Sequence, residues 1–485
     1  MSRFRPLTLP IHTVSSSGPL LQPRDVVGAN GQQGAGLSAV GMSSDRQSHY
    51  TVVKVGEIYF RVALDTASSD LWIVSTACGT ATCTKVPRYP LAYQGPTFVS
   101  VNDNATTFAA GYADGSTASG FVAKETIQVA NLTIPEQHFG LVTNSNLTLT
   151  DQVSGIFGLG FPRLSSISKA TNSTPFFTTL AYKGLLDYPL FALSLAKNGT
   201  GSLTLGAIDS SVVGNNTSQI SWNRVAAFPP FVIEVNVTSP TYLQWAIPLA
   251  SFSVNNTSLD PISTYPTVRG GQSLALIDAG SSGISGPVQD VSRIFSQIEG
   301  ARLVNSDAGQ WVIPCDTTVP ITVNYTLLPE DYLIGPASGN PNLCLSWPRA
   351  SSPNSDGIDW QFGAPFLRTV YSVFSFGINT KEPPIIGFYH LRNATELANL
   401  TTSQTPEYIS SYLASISATY PTTLPNVILP TPSYTTPAYT LNTSVSAPSG
   451  GRAHFGAGDE HVHASVWNPD PAGDRECVGS ANRET

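Results

Sequence analysis

Basic residues are scarce in this chain. Lys and Arg number 24 against 32 Asp and Glu, and charged residues make up only 12% of 485. The formal charge of −8 therefore reflects missing cations more than abundant acids, which argues against a nucleic-acid groove. It suits a protein working in acid, where few basic groups limit positive self-repulsion once carboxylates are protonated. No stretch is long and apolar enough to span a bilayer as a helix. The opening residues, Met1 to His12, carry positive charge but lack the apolar run of a signal peptide. The expectation is that the start of a precursor is missing from this sequence. Segments of helical periodicity are few, whereas Gly (40) and Pro (37) are plentiful, as in an all-β protein. Such a length exceeds one core and implies two lobes plus extras.

Cysteines number only five. Cys78 and Cys83 lie close together, Cys315 and Cys344 bracket a later segment, and Cys477 is left over. Each pair is spaced to close a loop within its own lobe. Zinc is the competing reading, and no His lies near either pair. Against this scarcity stand fourteen Asn-x-Ser/Thr sequons, from Asn104 to Asn442. Disulfide-like pairs and dense sequons together point to the secretory route and an extracellular product.

The stretch Phe60-Arg-Val-Ala-Leu-Asp65-Thr-Ala-Ser-Ser-Asp-Leu-Trp72 runs a hydrophobic strand into one acid and then into small, hydroxylated residues. A carboxylate at such a turn can be held by short side chains and backbone N–H groups. A single copy carries little weight, since buried strands ending in an Asp turn are common. A second copy, Leu274-Ala-Leu-Ile-Asp278-Ala-Gly-Ser-Ser282, follows roughly two hundred residues later, the mark of a duplicated unit. Two units related by a pseudo-twofold axis would bring two acids face to face.

Taken in order, residues 1–48 are rich in Ser, Gly, Pro and Gln and read as a pro-segment or flexible arm. Strand alternation begins at His49 and continues through a tight Gly56-Glu57 connection into Asp65. Two β-prone runs then flank Tyr112-Ala-Asp114-Gly115-Ser116, and Asp-Gly is a strong hairpin signal. Such a hairpin is either an ordinary surface turn or a mobile flap carrying Tyr112 over a cleft. Gly155 to Gly160 reads as a buried strand closely approached by other backbone, and Pro175 to Leu186 as a short helix. The chain crosses to its second half around Ile220 to Val225, giving lobes over 49–225 and 226–392. Strands are expected at Phe231–Val237 and Trp245–Val254, and a helix over Val288–Ile298 behind Pro287. From 393 to 485 the composition turns to Ser, Thr and Pro, a disordered stalk with a brief helix near Glu407 to Ile416. The tail histidines His454, His461 and His463 read as part of an unstructured polar end rather than a metal site.

With both acid motifs, the hairpin and the apolar–Gly strands in place, residues 50–391 resemble the pepsin-like aspartic proteases, particularly the secreted fungal type. The resemblance implies an all-β, bilobal double barrel with an active-site cleft between pseudo-twofold-related lobes. It implies that Asp65 and Asp278 form the catalytic dyad, with Thr66, Ser68, Ala279, Gly280 and Ser281 as loop support. Ser68 and Ser281 would hydrogen-bond the outer carboxylate oxygens. Tyr112 would be the flap tyrosine held by Trp72, with Asp114, Gly115 and Ser116 at the tip. Ile156-Phe157-Gly158 and Gln361-Phe362-Gly363 would brace the two loops. Three residues depart from the pattern: Ala67 replaces a usual Gly, Ala279 a Thr or Ser, and Ala364 an Asp. Negative φ is expected at Ala67, and with Ala279 only Thr66 remains to donate across the loops, a loss of about 1 kcal/mol.

The implied activity is a secreted acid endopeptidase made as a zymogen, monomeric, using a catalytic water and no metal or cofactor. Its partners would be polypeptides in extended conformation, with no nucleic acid and no membrane span. The tail would serve as a cell-wall stalk. The alternative is a peptide-binding or inhibitor protein of the same fold that has lost catalysis.

Overall fold

The computed structural model describes residues 13–14 and 34–416, apart from 44–47, 94, 150–151, 196–199, 215, 228–241, 266–270, 324, 338–339, 353–355, 379–381, 393–395, 397–398 and 400–402. Most of the expected pro-segment, the strand expected at Phe231–Val237, and the tail from 417 with Asn442, Cys477 and its three histidines lie outside the described residues. Met1–Gly451 forms one unit; Arg452–Thr485 forms a second, which holds no described residue.

Strands His49–Val55 and Ile58–Asp65 pair antiparallel across the Gly56-Glu57 turn. Their two-residue period sets the faces: Val53, Val55, Phe60, Val62 and Leu64 are buried, whereas Val52 and Tyr59 are exposed. The sheet begins earlier than the expected boundary at 48. Gly36–Met42 pairs with both Gly201–Leu205 and His49–Val55, and its Val40 is buried. Ser- and Gly-rich surroundings hide that strand, since one buried Val and a partner on each side suffice to hold it.

The duplication expected from sequence is a duplicated strand arrangement. Ile58–Asp65 runs parallel to Val153–Gly158, which pairs antiparallel with Leu71–Val74. In the second half Ser273–Ile277 runs parallel to Trp360–Phe362, which pairs antiparallel with Ile284–Pro287. The glycines closing the two central strands permit close backbone approach. A Cβ on Gly158 would stand 2.4 Å from the Ser69 carbonyl carbon, and one on Gly363 2.3 Å from the Ser281 carbonyl oxygen.

The halves share one sheet. Leu190–Ser194 pairs with Val370–Ser375, and Ser221–Arg224 with Ile385–His390. Phe191 stacks on Phe374 at 4.7 Å, and both are fully buried, each contributing about 1.5–3 kcal/mol from burial. Helix Val288–Phe295 starts behind Pro287 and buries Val291, Ile294 and Phe295; it is shorter than expected, with Ile298 buried beyond its end. The helix expected at Pro175–Leu186 spans Phe176–Tyr182. Disulfides Cys78–Cys83 and Cys315–Cys344 are both formed.

Past residue 392 the chain is not all stalk. Helix Pro406–Ile416 buries Ile409 and Leu413, an i,i+4 pair, against Pro329–Tyr332 and Leu333–Ala337. The Tyr408 hydroxyl donates to Glu330 at 2.7 Å, and Arg392 pairs with Asp331 at 2.7 Å. Two apolar residues and one tyrosine give this short helix a docking face within a Ser/Thr-rich composition. Among the described residues no helix is long and apolar enough to cross a membrane.

Candidate active site

Asp65 ends its strand and Asp278 directly follows Ser273–Ile277, so the two motifs present their acids at matching places. Both side chains are buried. Asp65 Oδ1 accepts from the Ala67 N–H at 2.8 Å and Oδ2 from the Ser68 hydroxyl at 2.5 Å. Asp278 Oδ1 accepts from the Gly280 N–H at 2.8 Å. The two carboxyl groups lie side by side, close enough for each to bear on the other's protonation. Gly280 lies beside both: a Cβ there would fall 2.8 Å from Asp65 Oδ1 and 3.2 Å from Asp278 Oδ1. Only glycine leaves that space open.

The outer oxygen of Asp278 differs from expectation. Ser281 does not reach it; its hydroxyl donates to the Gly283 carbonyl at 3.3 Å and accepts the Gly283 N–H at 3.4 Å. This local side-chain turn competes with the longer reach. Gln361 Nε2 donates to Asp278 Oδ2 instead, at 2.6 Å. Gln361 sits on the central strand of the second motif, where the first has Ile156. That polar-for-apolar exchange is the sequence signal that marks it.

Thr66 braces the loops from one side. Its hydroxyl donates to the Ile277 carbonyl at 2.8 Å and accepts the Ala279 N–H at 2.9 Å. Ala279 is buried and has no hydroxyl to return the bond. Ala67 is not among the residues with positive φ, so its Cβ costs no left-handed strain. Ala364 opens the buried helix Ala364–Leu367, and its N–H donates to the Ser281 carbonyl at 2.9 Å.

Strands Thr107–Gly111 and Thr117–Val129 form the expected hairpin. Its tip closes through the Tyr112 N–H on the Ser116 carbonyl, 2.9 Å, with Gly115 at φ 82°. Asp114 accepts from the Ser116 N–H at 2.9 Å, an Asx-type turn. Tyr112 is half-buried, and the Trp72 indole N–H donates to its hydroxyl at 2.7 Å. Burial and then the nearby Asp65 charge push the Tyr112 phenol up, so it stays protonated. Asp70, which sequence reasoning passed over, is buried and accepts from the Ser165 and Ser166 hydroxyls.

Burial raises both carboxyl groups above the ordinary 3.8, and the neighbouring Asp65 charge helps push Asp278 up to about 7. Such a pair retains one shared proton across the acidic range. One acid and one base of similar chemistry then sit in contact, an arrangement able to activate a water and polarise a carbonyl together. Among the described residues no three His, Cys, Asp or Glu side chains group as metal ligands.

The family model described as eukaryotic aspartyl protease matches residues 48–382. A protein of Phaffia rhodozyma named aspartic protease is 30% identical over 336 residues, 67% of this chain and 73% of its own length. Major aspartyl peptidase 1 of Cryptococcus neoformans is 26% identical over 353 residues, 68% of this chain and 66% of its own. Cathepsin D of Gallus gallus is 30% identical over 332 residues, 65% and 74% respectively. The chain belongs to the pepsin-like eukaryotic aspartyl protease family and is an aspartic-type endopeptidase.

Proposed function

We propose that Asp65 and Asp278 are the catalytic dyad of a secreted, monomeric acid endopeptidase made as a zymogen. The observation that carries this reading is the close approach of two buried carboxyl groups from duplicated loops around Gly280, each raised above its ordinary pKa by burial. The ionised member takes a proton from a water between them while the protonated member hydrogen-bonds the substrate carbonyl oxygen. Water adds to the carbonyl carbon, a tetrahedral diol forms, and a dyad proton passes to the leaving nitrogen as the C–N bond breaks. No cofactor enters these steps.

Polypeptide substrates would bind extended, pairing by backbone hydrogen bonds and filling pockets with alternate side chains. Tyr112, held by Trp72, would close over the scissile bond. The dense sequons and both disulfides support an extracellular product, with the chain ahead of the strand Gly36–Met42, rather than all of 1–48, as the pro-segment and the Ser/Thr/Pro-rich tail as a wall stalk. A non-catalytic peptide-binding role has no observation in its favour.

The test is a pH–rate profile of the acid-processed protein on a denatured globin, with and without a statine peptide. Cleavage confined to acid pH and blocked by the peptide is expected. Binding of the peptide with no turnover at any pH would refute the reading.

A further inference from the structure

We propose that Gln361 is a positioning residue for Asp278: its amide donates to Oδ2, fixes the orientation of the carboxyl group and favours its ionised form. The inference rests on the dyad reading above.

The two carboxyl groups are held differently. Asp65 has its outer oxygen on the Ser68 hydroxyl at 2.5 Å, and a hydroxyl can donate or accept. Asp278 has its outer oxygen on the Gln361 Nε2 at 2.6 Å, and an amide NH₂ can only donate. The amide's other end has a longer polar contact. Ser285, paired with Gln361 across the adjoining strands, donates its hydroxyl to Gln361 Oε1 at 3.5 Å. Its backbone is set by the ladder in which Leu276 pairs with Gln361, one residue along from Ile277 and Phe362. The Asp278 N–H donates to the Phe362 carbonyl at 3.0 Å, so acid and amide are anchored to one strand.

A proton on Asp278 Oδ2 would point at another proton donor. The Gly280 N–H meets Oδ1 in the same way, so both donors favour Asp278 as the ionised carboxylate, with Oδ1 facing the Asp65 side of the site. The first lobe holds its outer oxygen by the Ser68 hydroxyl from the loop, not by a side chain of the central strand. Its register counterpart, Ile156, is apolar and packs with Trp72 and Tyr112.

The test compares Gln361→Met, similar in length but without a donor, with the unsubstituted enzyme over a full pH profile. A hydrogen bond to an ionised group accounts for about one pH unit of titration. The alkaline limb of kcat/KM should move up by about one unit and kcat should fall about tenfold, with KM little changed. Ser281→Ala should leave the alkaline limb in place, since that hydroxyl serves Gly283. A superimposable Gln361→Met profile, or an equal shift in Ser281→Ala, overturns the proposal. Should Gln361→Met fail to fold, Gln361→Ile, the residue type at the register counterpart Ile156, replaces it, and an unmoved limb again overturns the proposal. The pH at which Tm falls tracks the same titration without turnover. A protein with no activity would thus refute the dyad mechanism while the role of Gln361 is still read from Tm.

Discussion

The Trp245 indole N–H donates to the Leu159 carbonyl at 3.0 Å, joining the two halves beside the aspartates. Leu159 donates its N–H to the Asp65 carbonyl at 2.7 Å, and Trp245 accepts the Ile277 N–H at 2.9 Å. Thr66 on the Ile277 carbonyl completes the circuit at 2.8 Å. Each aspartate loop is thereby fixed to the other through backbone groups as well as through the acids themselves.

Because Ala279 returns no hydroxyl, Thr66 carries the direct side-chain link alone. Thr66→Val keeps the shape but strands a buried carbonyl and a buried N–H. It should cost about 2–3 kcal/mol of stability, and activity should fall with it. Urea unfolding at acid pH and a parallel rate assay check this. A loss below half a kcal/mol would show the brace to be dispensable.

Trp72→Phe keeps an aromatic ring and removes the donor to the Tyr112 hydroxyl. One lost hydrogen bond of about 1 kcal/mol should lower kcat/KM about fivefold. Tm should fall as well, since Trp72 is fully buried and the smaller ring leaves a cavity. Peptide hydrolysis under kcat/KM conditions reads the effect directly.

Stability should be greatest in acid. An Asp whose folded pKa exceeds its unfolded value binds protons more tightly folded, so its contribution is full below the unfolded value and is lost as pH rises. For Asp278 that window runs from about pH 4 to about pH 7. Asp70, Asp290, Asp356 and Asp359 are raised in the same direction, each chiefly by burial. Tm measured from pH 3 to 8 should fall through this range. Asp278→Asn should cut activity by about a thousandfold or more and reduce that fall. A steeper fall in the variant would contradict the assignment.

Much of this site is legible in the sequence because the chain writes it twice. A hydrophobic strand, an Asp and a run of small residues recur around Asp65 and Asp278, and the Asp114-Gly115 turn marks the hairpin between them in the chain. The spacing of Cys78 with Cys83 and of Cys315 with Cys344 likewise anticipates both bridges. Less legible is anything set by one rotamer. Ser281 can satisfy itself on Gly283 two residues away, and no pattern distinguishes that choice from reaching Asp278. Gln361 stands in a strand otherwise apolar, and its value emerges only when the register places it beside the acid. The strand Gly36–Met42 and the docked helix Pro406–Ile416 are hidden by flanking Ser, Gly and Thr, because partners distant in sequence stabilise them.

The ladder between Leu190–Ser194 and Val370–Ser375 has a covalent corollary. Sequence-distant strands from both halves hydrogen-bond along it, and Phe191 lies on Phe374 within it. A single peptide-bond scission between Ala227 and Tyr242 would therefore yield two fragments that co-elute on gel filtration and separate only in denaturant. The halves would behave as a heterodimer whose subunits happen to be synthesised in one piece.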